Sequence, residues 1–167
     1  TLLVTEFMKD PSAVSDTRGE WIELFNPNLF PVDVEGWVLS DLGTDSTVLT
    51  NGGNGIVVPP RRAAVLARNA DPTLNGGVTV LATYSGFTLG NGADQIILTD
   101  LAGQLVDLVD YLDGPTWPDR AGASVSLSTR AWLTGHDDVA RAWCEGESLM
   151  LGGDLGTPTY TNDICWD

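Results

Sequence analysis

Glu20-Trp21-Ile22-Glu23-Leu24-Phe25-Asn26-Pro27 decides how the chain folds. Ile22 and Leu24 fall on one face and Glu23 on the other, the period of two that a strand needs when one side is buried. Asn26-Pro27 stops that strand, because a proline donates no ladder hydrogen bond. Trp21 alternates away from Ile22 and Leu24, which predicts an outer-face aromatic near Phe25. Further on, Gly36 can supply a turn conformation before Trp37-Val38-Leu39, and Trp37 is expected to anchor the core with its large apolar area.

Working outward, the same rhythm recurs. Leu2–Met8, Val48–Leu49, Ile56–Val58, Ala63–Leu66, Val78–Tyr84, Gln95–Thr99, Gln104–Tyr111 and Ser124–Ser128 are short apolar or alternating runs. Turn chemistry separates them: the polar loop Lys9–Gly19, Asp41–Asp45, Asn51–Gly55, Asn69–Gly77 and the hairpin turn Asp100–Gly103. No long 3.6-residue period exists, and Asp137–Trp143 has room for one helical turn. Short strands without intervening helices predict an all-β antiparallel sandwich or barrel. No internal repeat or change of composition divides the 167 residues, so one domain over 1–167 is expected.

The charge balance is 8 Lys plus Arg against 23 Asp plus Glu, a formal net charge of −15. With 43% hydrophobic residues this is not a disordered acidic tail. Non-specific binding to nucleic acid or to anionic membranes needs clustered positive charge and is not expected, unless Arg61, Arg62 and Arg68 form a local patch. Seventeen of the acids are Asp and the sole lysine is Lys9. Asp favours turns and caps whereas Glu and Lys favour helix interiors, so the composition itself argues for strands and turns.

No apolar stretch is long enough to span a membrane as a helix. Residues 1–8 lack the basic start, apolar run and cleavage site of a signal peptide, as expected of a mature or trimmed domain. Cys144 and Cys165 suggest a disulfide and an oxidising compartment, the alternative being two buried thiols. With the single distant His136 they fall short of a zinc site.

The stretch 20–27, followed by Pro31-Val32-Asp33-Val34-Glu35-Gly36-Trp37-Val38-Leu39-Ser40-Asp41, resembles the lamin-tail domain family in its secreted bacterial form. Val57-Val58-Pro59-Pro60 with Ala64-Val65-Leu66, Gly86–Leu89, Gly92–Leu98 and Val106–Tyr111 are similar to its later segments. Trp143-Cys144 and Asp154-Leu155-Gly156-Thr157-Pro158 with Asn162 are similar to its ending. Thr159 stands where that family often has Gly, and Asn91-Gly92 departs from its usual order. The resemblance implies an immunoglobulin-like β-sandwich that accompanies other domains as an accessory module, and it carries over no catalytic residue. Glu20, Ile22, Leu24, Asn26, Pro27, Gly36, Trp37, Gly156 and Pro158 then have structural roles. The Gly156–Pro158 segment would tuck the tail 144–167 over the sandwich, where a Cys144–Cys165 bridge would hold it.

Little in the sequence carries reaction chemistry. His136 lies in a turn-like stretch, no Gly-x-Ser-x-Gly elbow exists, and Asn51–Gly55 lacks the ending of a phosphate loop. Asp107 and Asp110 are three apart and should point to opposite faces of a strand. Calcium is the one candidate cofactor, since it takes carboxylate and carbonyl oxygens from loops. Three clusters nominate themselves: Asp41, Asp45 and Ser46; Asp94 and Asp100; and Asp137, Asp138 with Asp154. Trp21 and Trp117 are candidate partner-binding aromatics. The expected function is a noncatalytic interaction or accessory module of a secreted or cell-surface protein, extracellular or periplasmic, docking a surface polymer or protein. A structural spacer or anchor without a specific ligand is the alternative.

Overall fold

The computed structural model describes residues 1–129, 131 and 139–165. Twelve strands are described: β1 Leu3–Met8, β2 Trp21–Phe25, β3 Val32–Asp33, β4 Val38–Ser40, β5 Ser46–Val48, β6 Val57–Val58, β7 Ala63–Ala67, β8 Ala82–Thr83, β9 Asp94–Thr99, β10 Leu105–Tyr111, β11 Val125–Leu127 and β12 Trp143–Glu145. They form a six-stranded sheet in the order β12-β11-β1-β2-β7-β8, a four-stranded sheet in the order β10-β9-β4-β5, and the ribbon β3-β6. The result is an immunoglobulin-like β-sandwich. Every strand pairing described is antiparallel except β7 with β8, where Leu66 faces Ala82.

The alternation in β2 works as its sequence requires. Ile22 and Leu24 enter the main core between the sheets, whereas Trp21 and Glu23 face outward. In β1 the register against β2 shifts between Val4 and Glu6, a β-bulge. The extra residue lets Val4 and Phe7, three apart, both enter the core, and it turns Glu6 to the outer face.

That outer face is not solvated, which corrects the expectation for Trp21. Its indole is 1% exposed and packs with Met8, Val65, Ala67 and Val78 in a second apolar cluster. Residues 78–80 and Met150 supply the cover, and local periodicity cannot reveal a cover that comes from far along the chain. Trp117 is also buried, at 8% exposure, with its ring 6.0 Å from that of Trp143. Both rings are enclosed by the chain's own side chains. Trp37 differs in the other direction: it is half-buried and flanks the core rather than anchoring it. Gly36 does supply the expected turn, with φ +83°, and a side chain there would collide with Leu101.

Other differences are matters of length. A four-residue helix, Asp16–Gly19, sits inside the polar loop before β2. Of the run Val78–Tyr84 only Ala82–Thr83 is strand, because Gly76 and Gly77 take positive φ just before it. Two- and three-residue strands such as β3 and β12 are too short to show a period. The hairpin turn after β9 forms as expected: the Asp100 amide donates to Gln104 O, and Asp100 Oδ1 accepts from the amides of Ala102 and Gln104.

Cys144 and Cys165 form a disulfide with Cα atoms 5.4 Å apart. It joins β12 to the C-terminal segment across 21 positions of chain. In the chain-entropy account a loop of that size stabilises the fold by about 3 kcal/mol. Denaturant unfolding with and without reductant should therefore differ by about 3 kcal/mol, and a difference near zero would show that the tail is held without the bridge.

Candidate functional site

The chemically most unusual place is a row of residues across the outer face of the six-stranded sheet. Register aligns Cys144, Ser126, Glu6, Glu23 and Val65 on five neighbouring strands. Glu6 and Glu23 are fully buried side by side. A buried carboxylate needs donors, and in this row they come from the C-terminal segment together with Thr5 and Ser124. The Thr157 amide donates to Glu6 Oε1 at 2.8 Å and the Thr157 hydroxyl to Glu6 Oε2 at 3.0 Å. Ser124 Oγ donates to Glu6 Oε1. The Thr5 hydroxyl and the Thr159 amide donate to the two oxygens of Glu23, each at 2.6 Å. The Asn162 side-chain amide fastens the segment further by donating to Thr5 O and Leu127 O.

Thr159 adopts φ +72°. That is a glycine-like conformation, costly for a β-branched residue, and such strain persists only where surrounding contacts enforce it. Gly156 lies so close that a side chain there would strike Ser124 and Glu6. The segment Gly156–Pro158 passes over Glu6, and a turn closed by the Tyr160 amide on Thr157 O follows it.

Burial dominates the electrostatics. It raises the Glu6 carboxyl above its usual range against the hydrogen bonds of Ser124 and Thr157. It pushes Glu23 up to about 8, and the neighbouring Glu6 charge adds to the rise. Glu20, beside the same sheet, is pushed to about 7 by burial, although it accepts from the Leu89 amide and pairs with Arg68 at 3.3 Å. These acids could in principle exchange protons, but Glu6 and Glu23 have no exposed surface through which to reach a substrate.

The described loop aspartates nominated for calcium accept hydrogen bonds, some within their own turn and some from distant loops. Asp41 accepts from the Asp45 amide, and Asp45 accepts from the hydroxyl of Thr88 at 2.7 Å; Ser46 is exposed at the start of β5. Asp94 accepts from the Gly90 amide and lies at the opposite end of β9 from Asp100, roughly 20 Å away at strand rise. Asp154 accepts from the amides of Ser12 and Ala13 and so ties the tail to the loop after β1. Asp137, Asp138 and His136 lie outside the described residues. Among the described residues no three His, Cys, Asp or Glu side chains converge as a metal would require. Asp107 accepts from the Val4 amide at 2.6 Å, a contact between the sheets.

Sequence reasoning passed over Lys9, whose scarcity was the available signal. The lysine is buried, donates to Asp119 at 2.6 Å and to Gly92 O at 3.2 Å, and lies over the Tyr111 ring. It closes one end of the sandwich. It also passed over Glu6, which sits in an apolar run and is distinguished only by being the one acid there.

The profile of the lamin tail domain matches residues 1–113. The chain belongs to the lamin tail domain family. Among curated proteins none matches it significantly. The lamin tail segment contains both buried glutamates, while Ser124, Thr157, Thr159 and Asn162, which satisfy and cover them, all lie beyond its matched end.

The pH dependence of this lamin tail domain follows from the raised groups. Glu6, Glu20 and Glu23 bind protons more tightly folded than unfolded, so their stabilisation is complete below about 4.5 and is lost as pH rises through the raised folded values, about 7 for Glu20 and about 8 for Glu23. Asp33, Glu35, Asp71, Asp119 and Asp163 are held below their usual range by hydrogen bonds, so their stabilisation is lost as pH falls into that lower range. Thermal melts should therefore show a stability maximum on the acid side of neutrality. The decline from pH about 5 to 8 should approach about 1.4 kcal/mol per pH unit for each group that titrates, and Glu23→Gln should flatten it. A flat profile in the wild type would contradict the assignment.

Proposed function

We propose that the protein is a noncatalytic accessory module of a secreted or cell-surface protein, of the secreted bacterial kind. The observation that carries this reading is the sealing of Glu6 and Glu23. These two buried acids bind the C-terminal segment and have no exposed surface for a substrate. Membership of an immunoglobulin-like family supports the reading, because such folds host function at grafted surface sites rather than by the fold itself. The disulfide supports an oxidising location. We further infer that the domain extends past its family segment to residue 165, since β11 and β12 complete the six-stranded sheet. A spacer role is the second reading, and the burial of Trp21 and Trp117 favours it over binding through those two rings.

The purified protein, assayed against chromogenic esters, phosphate esters, glycosides and supercoiled DNA with Mg²⁺ or Ca²⁺ present, should give background rates. Turnover that Glu23→Gln or Glu6→Gln abolishes would overturn the noncatalytic reading. Melting midpoints in EDTA and in excess Ca²⁺ should coincide if the nominated aspartates serve their turns alone.

A further inference from the structure

In a chain with 23 acids, residues 46–70 contain none, and neither do residues 24–32. The fold brings these two stretches together. Val32 of β3 faces Val58 of β6. The buried Asn26 side chain donates to Phe30 O at 2.9 Å and to Val58 O at 3.0 Å. Its backbone exchanges two more hydrogen bonds with the next turn, Asn26 N to Arg62 O and Arg61 N to Asn26 O, each 2.9 Å. Two turns are thereby locked side by side, one presenting Leu29 and Phe30 and the other Arg61 and Arg62.

All four side chains project into solvent. Leu29 is 79% exposed and Phe30 62%, and Val57 adds apolar surface beside them. Arg61 and Arg62 are exposed and make no ion pair among the described residues, while Arg68 is engaged with Glu20. Arg61 moreover holds φ +56°, a conformation natural to glycine. The chain thus has an arginine where a glycine would fit without strain, at the junction of two acid-free stretches in a molecule of net charge −15.

We propose that this ridge docks a short acidic segment of another polypeptide, one that carries an aromatic or aliphatic side chain beside its carboxylates. The inference rests on the accessory-module reading and names that module's binding surface. Guanidinium forks match carboxylates in a bidentate way, and arginine with large apolar side chains is the composition of interface centres. Rigid turns limit the ordering cost of binding. An extended polyanion, whether membrane or DNA, would face the negative field of the whole domain. A short acidic segment engages the two arginines locally, and Asp33, opposite Val57 in the ribbon, already accepts from the amides of Glu35 and Ile56.

The test is an NMR titration of the intact, disulfide-bonded protein. The probe is an end-capped peptide of alternating aspartate and phenylalanine, taken to low-millimolar concentration. Saturable shifts are expected at residues 29–31 and 57–62. Affinity should fall by about tenfold or more in Arg61→Gly/Arg62→Ser and in Leu29→Ser/Phe30→Ser, and the arginine variant should melt no lower than wild type. The proposal is overturned by no saturable shift, by equal binding of the lysine-for-aspartate peptide, or by unchanged affinity in both variants. It is also overturned if duplex DNA, phosphatidylserine vesicles or a second copy of the chain occupies the ridge while the peptide does not. Absence of binding leaves the spacer reading standing, whereas enzymatic turnover would overturn the accessory reading without touching the ridge.

Discussion

Glu6 and Glu23 are adjacent carboxylates removed from water on the outer face of a sheet, and such a pair is tolerable only if donors reach it. Much of the molecule is arranged around that demand. The bulge in β1 turns Glu6 outward, and the register with β2 sets it beside Glu23. The C-terminal segment then has to cross the sheet to deliver the amides of Thr157 and Thr159. Asp154 starts that crossing on the loop after β1, and the Cys144–Cys165 bridge ends it on β12. The strained backbone of Thr159 sits within the same crossing, directly after the amide from which Glu23 accepts.

This arrangement also separates what the sequence could reveal from what it could not. The alternation of Ile22, Glu23 and Leu24 set the inner and outer faces of β2 correctly, because period two is local. Whether the outer face was wet was a different question. Trp21 is dry because residues around Val78 and Met150 return to cover it, and nothing within eight residues of Trp21 encodes that return. Gly156-Thr157-Pro158 could be read as a turn that tucks the tail. Its partner Glu6 could not, because a lone acid in a strand looks the same whether solvated or sealed. The loop aspartates raise a related question of context. Asp41, Asp94 and Asp100 have the residue type calcium uses, but in each the carboxylate is committed to a neighbouring amide.

The excess of acid acquires a physical meaning from this. Part of it forms turns between short strands, where a carboxylate replaces a missing backbone acceptor. Part of it, in Glu6 and Glu23, is structural and sits where charge is disfavoured. What remains is a negative field interrupted around Arg61 and Arg62, where two acid-free stretches meet. Recognition by this lamin tail domain is thus better sought in that interruption than in its tryptophans.

The central claim is that the buried pair holds a proton because the tail seals it from water. A carbon-13 NMR titration of the glutamate carboxyl signals, assigned with the Glu23→Gln variant, measures this directly. The account predicts that the Glu23 signal is still moving near pH 8 and that Glu6 titrates well above the usual carboxylate range. Both signals titrating near 4.5, as exposed glutamates do, would contradict it.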